Sequence, residues 1–403
     1  MMKRWIGNIA LLLASLIISL GLGEILVRQT LSPPQKYEDI LRNLVDRPER
    51  LFNARSSTLY DIKGLYEGAD TVELNVGKDR FIEPQPQGFH KYHILFLGGS
   101  TTEAMYVPQR ERWVALLNQP AVVAAYNAAQ SGANTIDEYF TFLYLTAQGM
   151  KFDLVVLATG VNDMYWLQQF EKDGNRFVAE EYKKGLQDHN AREFGSKENT
   201  FDQPWRRSGL YLLIAEAFKN LSNLGPPLRV VPNVTQILLD MRQTALSNFT
   251  DERRPAGVRL VDRYPYLEES NQEYRAATTH NIGLLHQAVS RTGARLLVLT
   301  EATSWLAPTT SFYQDLRIPI DGMRSFEDLH EYRLLLNGFY LEAAKRVGAL
   351  TYDLAADVNP YSNGPSGGMY MYDSLHYTPE GCRLVARFMR PVLHRLLEPG
   401  SLE

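Results

Sequence analysis

Five short apolar runs punctuate the chain, and each closes on small or polar residues. They are 92–97 (YHILFL), 121–126 (AVVAAY), 153–159 (DLVVLAT), 295–300 (RLLVLT) and 350–354 (LTYDL). Between them lie longer stretches with apolar residues spaced by three and four, clearest at 136–150, 268–292, 326–347 and 379–397. Runs that are apolar throughout, rather than alternating, fit strands buried on both faces, and helical stretches between them fit crossover connections. The pattern predicts an α/β domain over 90–400, a three-layer α/β/α sandwich around a parallel sheet. The interval 165–266 breaks the rhythm. It shows no buried strand, carries a charged loop (171–199) and two helix-like stretches (210–221 and 234–249), and reads as an insertion.

The first 30 residues have a different pattern. After Lys3 and Arg4, an apolar sequence runs almost unbroken from Ala10 to Gly23 and continues through Ile25, Leu26 and Val27. That suffices for a membrane-crossing helix of roughly 20 residues. It is longer than the apolar centre of a cleaved signal peptide, and 15–24 offers no good Ala-x-Ala-like site. Residues 1–30 therefore read as an uncleaved anchor and 31–89 as a juxtamembrane stalk opened by Pro33-Pro34. Lys3 and Arg4 favour an inside N-terminus, whereas Arg28, Lys36, Arg42 and Arg47 pull the other way. Long domains cross largely regardless of such charge, so the domain is expected outside the cytoplasm of a bacterial inner membrane.

Charge and cysteine content narrow the remaining choices. With 42 basic and 46 acidic side chains, the net charge of −4 gives no electrostatic reason to expect nucleic acid as a partner. The single cysteine, Cys382, excludes an intrachain disulfide and a cysteine-based zinc cluster, and reads as core packing. His280 and His286 lie six apart in one helical stretch and do not share a face, so no metal and no cofactor is assigned. Asn220, Asn233 and Asn248 begin sequons that would matter only in a eukaryotic secretory protein.

In a parallel α/β domain, ligands sit beyond the C-terminal ends of the strands. The residues delivered there are Gly98-Gly99-Ser100-Thr101-Thr102, then Ser131-Gly132-Ala133-Asn134, then Gly160-Val161-Asn162-Asp163. Near the C-terminus, Asp373-Ser374-Leu375-His376 precedes Thr378-Pro379, an N-cap and first helical residue. In this order the four blocks resemble the SGNH hydrolase family, also called GDSL-like, whose fold is flavodoxin-like. Ser100 matches the nucleophile block and Gly132 the second-block glycine. Asn162 falls in the Gly-x-Asn-Asp signature, and Asp373 and His376 in Asp-x-x-His. One departure stands out: Gly99 occupies the position that holds aspartate in the Gly-Asp-Ser form. Glycine-containing variants resemble bacterial members associated with envelope polysaccharides.

The resemblance implies a serine esterase with a Ser100–His376–Asp373 triad. The oxyanion donors would be the Ser100 and Gly132 N–H groups and the Asn162 amide. Histidine beside serine is also what the chemistry needs, since a hydroxyl is a poor nucleophile until a base takes its proton. Thr101, Asn134, Asp163, Tyr165, Trp166 and Tyr377 are candidates for substrate contact. Tyr361, Tyr370 and Tyr372 join Tyr165, Trp166 and Tyr377 as aromatics that either stack on sugar rings or are ordinary partly buried side chains. The implied substrate is an O-acylated, in particular O-acetylated, carbohydrate of the cell envelope, with envelope polysaccharide machinery as partner. Alternatives stay open: an O-acyltransferase using the same residues, a non-catalytic polysaccharide-binding scaffold that keeps the fold, and a phospholipase or thioesterase, since an anchor would place the cleft near lipid.

Overall fold

A computed structural model of the chain describes residues 56–77, 79–158, 160–163, 229–246, 249, 251–308 and 323–398. All of them lie in one compact unit, Glu49–Gly185 with Pro226–Glu403. The anchor read at 1–30, the helix read at 210–221, and Tyr165 and Trp166 fall outside the described residues. Among the described residues no helix is long and apolar enough to cross a membrane.

The apolar runs form the strands expected of them. Following a first pair, β1 (Ser56–Asp61) and β2 (Thr71–Val76), come β3 (His90–Gly98), β4 (Ala121–Asn127), β5 (Leu154–Ala158) and β6 (Arg229–Val231), then β7 (Arg295–Leu299) and β8 (Leu350–Tyr352). Five of them make one sheet in the order β4-β3-β5-β7-β8, with every neighbouring pair parallel. Side chains alternate between its two faces. Ile94, Phe96, Leu154, Val156, Leu297 and Leu299 share a core with Leu384, Val385, Met389 and Leu393 of the C-terminal helix Pro379–Leu397. The intervening Leu95, Leu97, Val155, Leu157, Leu296 and Val298 are equally buried on the opposite side. Three helices pack together there: Thr135–Ala147, Leu267–Arg291 and Phe326–Val347. The architecture is the predicted three-layer α/β/α sandwich.

Strand order reverses between β3 and β5: the chain leaves β3 for β4 on one side and then returns to β5 on the other. Such a switch point opens a crevice at the strand ends, and Ser100 stands directly after β3.

Three sequence readings need adjustment. The stretch taken as stalk is folded from residue 56 onward, where β1 and β2 pair antiparallel and β6 adds in parallel to β1 as a second sheet. The insertion therefore contributes a strand, but one of only three residues, too short for an apolar run to show. The fifth strand ends at Tyr352, because the Asp353 side chain accepts the Ala356 N–H and starts a helix at Leu354.

The small sheet is tied to the large one by a buried cation. Arg112, 1% exposed, donates from Nε to the carbonyls of Ala104 (3.2 Å) and Val107 (3.1 Å). Its Nη atoms reach the carbonyls of Glu83 (3.1 Å) and Glu73 (2.9 Å). One guanidinium thus joins β2 to the loop that follows the Ser100 turn. Burial depresses its pKa to about 10, against a weaker opposing pull from Glu103.

Candidate active site

Ser100 opens α1 (Ser100–Glu103), a single turn that starts where β3 stops. Both preceding glycines are demanded by close approach. A Cβ at 98 would fall 2.4 Å from the Ala158 carbonyl, and one at 99 would fall 2.5 Å from the Asn162 amide nitrogen. Ser100 is partly exposed. Its Oγ lies 2.7 Å from His376 Nε2, and His376 Nδ1 lies 2.7 Å from Asp373 Oδ2. The pattern assigns the tautomer: Nδ1–H donates to the carboxylate, leaving the Nε2 lone pair for the serine hydroxyl. Asp373 Oδ1 accepts the N–H groups of Leu375 (2.9 Å) and His376 (2.8 Å), which fixes the carboxylate from its own loop.

That loop is held at several points. Ser304, beyond β7, donates its N–H to the Ser374 carbonyl (3.0 Å) and its hydroxyl to the Asp373 carbonyl. Thr378 caps the last helix through the Gly381 N–H at 3.1 Å. Tyr372 stacks on the imidazole, with ring centroids 5.6 Å apart and planes 8° from parallel. Burial is the largest influence on His376 and lowers its pKa. The Asp373 charge and hydrogen bond, aided by the charges of Glu301 and Glu103, outweigh it, and the imidazole stands above its ordinary value of 6.5.

The second and third blocks are clasped to each other and to the serine turn. Gly132 has φ 76°, the left-handed conformation glycine adopts without strain. Beside it, the buried Glu103 carboxylate accepts both the N–H of Ser131 (2.8 Å) and its hydroxyl. Asn162 Nδ2 donates to the Ala133 carbonyl at 2.8 Å. Asp163 Oδ1 accepts the N–H (2.8 Å) and hydroxyl (3.0 Å) of Thr135. These bonds join the segments that carry Ser100, Gly132 and Asn162.

Four of the expected substrate contacts are corrected by burial. Thr101 is buried with its hydroxyl on Glu301 at 2.8 Å. Asn134 is buried and caps α2 (Thr135–Ala147), accepting from the Ile136 and Asp137 N–H groups. Asp163 is buried on Thr135, and Tyr377 lies in the core beneath the last helix. Each lies close in sequence to a candidate site residue but is buried. Of the other tyrosines, Tyr372 is buried against His376, while Tyr361 is exposed and contacts Tyr370 and Phe388. Glu103, Glu301 and Arg333 went unnoticed in the sequence. Glu301, the second residue past an apolar strand, gave no sign in the sequence of its distant partner. Among the described residues, no group of His, Cys, Asp or Glu is arranged to hold a metal ion.

No family model and no curated protein sequence matches the chain. Solved structures do. The acetylxylan esterase Axe2 from Geobacillus stearothermophilus is 12% identical, covers 75% of this chain and 95% of its own, and has a TM-score of 0.38. LAE5, an alpha/beta hydrolase enzyme from the metagenome of Lake Arreo, Spain, is 12% identical over 75% and 94%, with a TM-score of 0.37. A member of the lipolytic protein G-D-S-L family from Veillonella parvula is 11% identical over 75% and 98%, with a TM-score of 0.35.

Proposed function

We propose that the protein is a serine-dependent ester-processing enzyme of the SGNH type. The carrying observation is the relay from Ser100 Oγ through the His376 imidazole to Asp373, with both contacts at 2.7 Å. Ser100 and His376 are 276 residues apart in the chain, and nothing in the packing of the strands requires them to touch.

In the reaction, Ser100 Oγ attacks the acyl carbonyl while His376 Nε2 takes its proton. The carbonyl oxygen becomes an oxyanion beside the Ser100 and Gly132 N–H groups and the Asn162 amide. Collapse breaks the ester C–O bond, and His376 returns the proton to the departing alcohol oxygen. An incoming hydroxyl then attacks the acyl-enzyme, giving up its proton to His376; the acyl C–Oγ bond breaks, and His376 passes that proton to Ser100 Oγ, which restores the serine. Asp373 keeps the imidazole in its tautomer and stabilises the imidazolium. Removing a single oxyanion donor costs about 3 kcal/mol of transition-state stabilisation.

The second hydroxyl is water in a hydrolase and a sugar hydroxyl in an acyltransferase, and the same residues serve both. The sequence resemblance favours an O-acetylated envelope carbohydrate as acyl donor, and the apolar segment at 10–27 would keep the enzyme at a membrane. A fluorophosphonate probe applied to the full chain tests the central reading. Labelling of wild type and not of Ser100→Ala is expected. An unlabelled but folded wild type, beside a labelled control esterase, would move the protein to the scaffold class. Acetate release from p-nitrophenyl acetate, with and without added saccharide, then separates hydrolysis from transfer.

A further inference from the structure

A buried ion pair lies beneath the cleft and takes no part in the proton relay. Glu301 is the second residue past β7, and Arg333 projects from the helix Phe326–Val347; both are almost wholly buried. Their side chains pair directly. Replacing such a pair by apolar residues is commonly neutral or stabilising, because desolvation cancels the attraction. Stability alone therefore gives no reason for this one, and two of the Arg333 nitrogens, Nε and Nη1, are buried without an acceptor.

What the pair does is visible in the other bonds of Glu301. Oε1 accepts the Thr101 hydroxyl at 2.8 Å, and Oε2 accepts the Val161 N–H at 3.2 Å. Thr101 is the residue after the nucleophile, and Val161 the residue before the Asn162 donor. A single carboxylate therefore links the side chain of Thr101 to the backbone of Val161, each one residue from a group that would touch the reacting ester. Glu301 is itself fixed by Asn337, whose Nδ2 donates to the Glu301 carbonyl at 2.9 Å. Gly160 leaves room for the guanidinium, since a Cβ there would lie 3.0 Å from Arg333 Nη2.

We infer that Glu301, held by Arg333, is a positioning residue that sets the distance between Ser100 and the Asn162 oxyanion donor. This rests on the serine-enzyme reading above. A misplacement of about 1 Å in such a site can cost on the order of 100-fold in rate. The bonds to Glu301 carry charge on the acceptor, and on the Arg333 side on the donor too, which makes such bonds stronger than neutral ones.

The test compares wild type with the double variant Glu301→Met/Arg333→Met and with Thr101→Val, in the full chain. Melting temperature, kcat and KM on p-nitrophenyl acetate, and the rate of fluorophosphonate labelling are measured for each. The double variant removes both charges together, so it is expected to fold, with KM within about threefold and kcat lowered about 10- to 100-fold. Thr101→Val deletes one hydroxyl with little change of shape and is expected to lower kcat about fivefold. It decides the matter where the double variant does not fold. Glu301→Gln, which keeps acceptor oxygen on the same stem, should recover part of the loss. A folded double variant, or Thr101→Val, with wild-type kcat and labelling rate would overturn the inference and leave the serine reading intact. A wild type that neither labels nor turns over would overturn both.

Discussion

Tyr372 lies flat against His376, its ring 5.6 Å from the imidazole and 8° from parallel. The tyrosine is itself backed by Tyr66 (6.3 Å) and Tyr106 (6.0 Å). Tyr66 lies in the connection between β1 and β2, and its hydroxyl donates to the Tyr106 carbonyl at 2.7 Å. The small sheet thus reaches the general base through one aromatic wall. Ring pairs contribute about 0.5–1.5 kcal/mol beyond the area they bury, which corresponds to a factor of roughly 2 to 13 in the population of a correctly turned imidazole. Tyr372→Phe is expected to keep wild-type kcat, whereas Tyr372→Leu should lower kcat and the fluorophosphonate labelling rate about tenfold. Equal rates for Leu and Phe would show that the wall has no bearing on His376.

In the proposed mechanism, His376 sets the pH dependence of the reaction. It must be neutral to accept the serine proton, and in the folded protein its pKa stands above 6.5. Burial, the strongest single influence, acts against that rise; Asp373, Glu301 and Glu103 together overcome it. The logarithm of kcat/KM should therefore climb with pH, and level off only beyond an inflection above 6.5. Asp373→Asn removes the largest opposing charge, so the inflection should move down as burial takes over. The rate should fall on the order of 10³- to 10⁴-fold, because the imidazole loses its tautomer control. Initial rates from pH 5 to 9 check both points. An inflection that stays put in the asparagine variant would mean a different group limits the wild type.

How far the site could be read in advance depended on what kind of residue was involved. The strands of the large sheet were visible because LVVLA and RLLVL are buried on both faces and leave no polar alternation. The candidate site was legible because serine, asparagine, aspartate and histidine stand where strands end and helices begin, and few structural needs place all four there. Glu301 was hidden for the opposite reason. A glutamate closing a strand is unremarkable until its partner Arg333, 32 residues further on, is brought beside it. Thr101, Asn134, Asp163 and Tyr377 are buried, and adjacency in sequence does not announce the burial of a side chain at a tight turn. The β1–β2 hairpin did carry a period-two signal, with Val72 and Leu74 buried between exposed neighbours. Its third strand, β6, lies about 170 residues away and is too short to announce itself.

Asp163 ties stability to pH. Burial, the main cause, raises its pKa from 3.8 to about 7 despite two hydrogen bonds from Thr135, while Glu301 and Asp137 push the same way. One oxygen, Oδ2, is buried without a donor. The folded protein keeps this proton until about pH 7, whereas the unfolded chain releases it near 3.8. Folding therefore takes up a proton across that window, and the stability contributed by this group falls as pH rises through it. Asp163→Asn keeps a carbonyl oxygen for Thr135 and removes the titration. The variant's stability relative to wild type should improve between pH 4.5 and 8, by at most on the order of 4 kcal/mol. Urea unfolding at the two pH values measures it, and parallel curves for the two proteins would rule out the account.

Gly99 gives the sharpest test of the oxyanion geometry. Its backbone, φ −83° and ψ −156°, is open to any residue, so the glycine is not there for conformational freedom. It is there because a Cβ would come within 2.5 Å of Asn162 Nδ2. Placing aspartate at this position, as the Gly-Asp-Ser form has it, should therefore harm this protein rather than improve it. Gly99→Ala and Gly99→Asp are both expected to lower kcat about 10- to 100-fold with little change in KM, at an overpacking cost of about 1–3 kcal/mol in stability. If the damage runs through the displaced amide, it should vanish where that amide is already gone. Gly99→Ala in an Asn162→Ala background should then be no slower than Asn162→Ala alone, a coupling that a double-mutant cycle reads directly. Additive losses would place the harm at the serine turn itself, independent of Asn162.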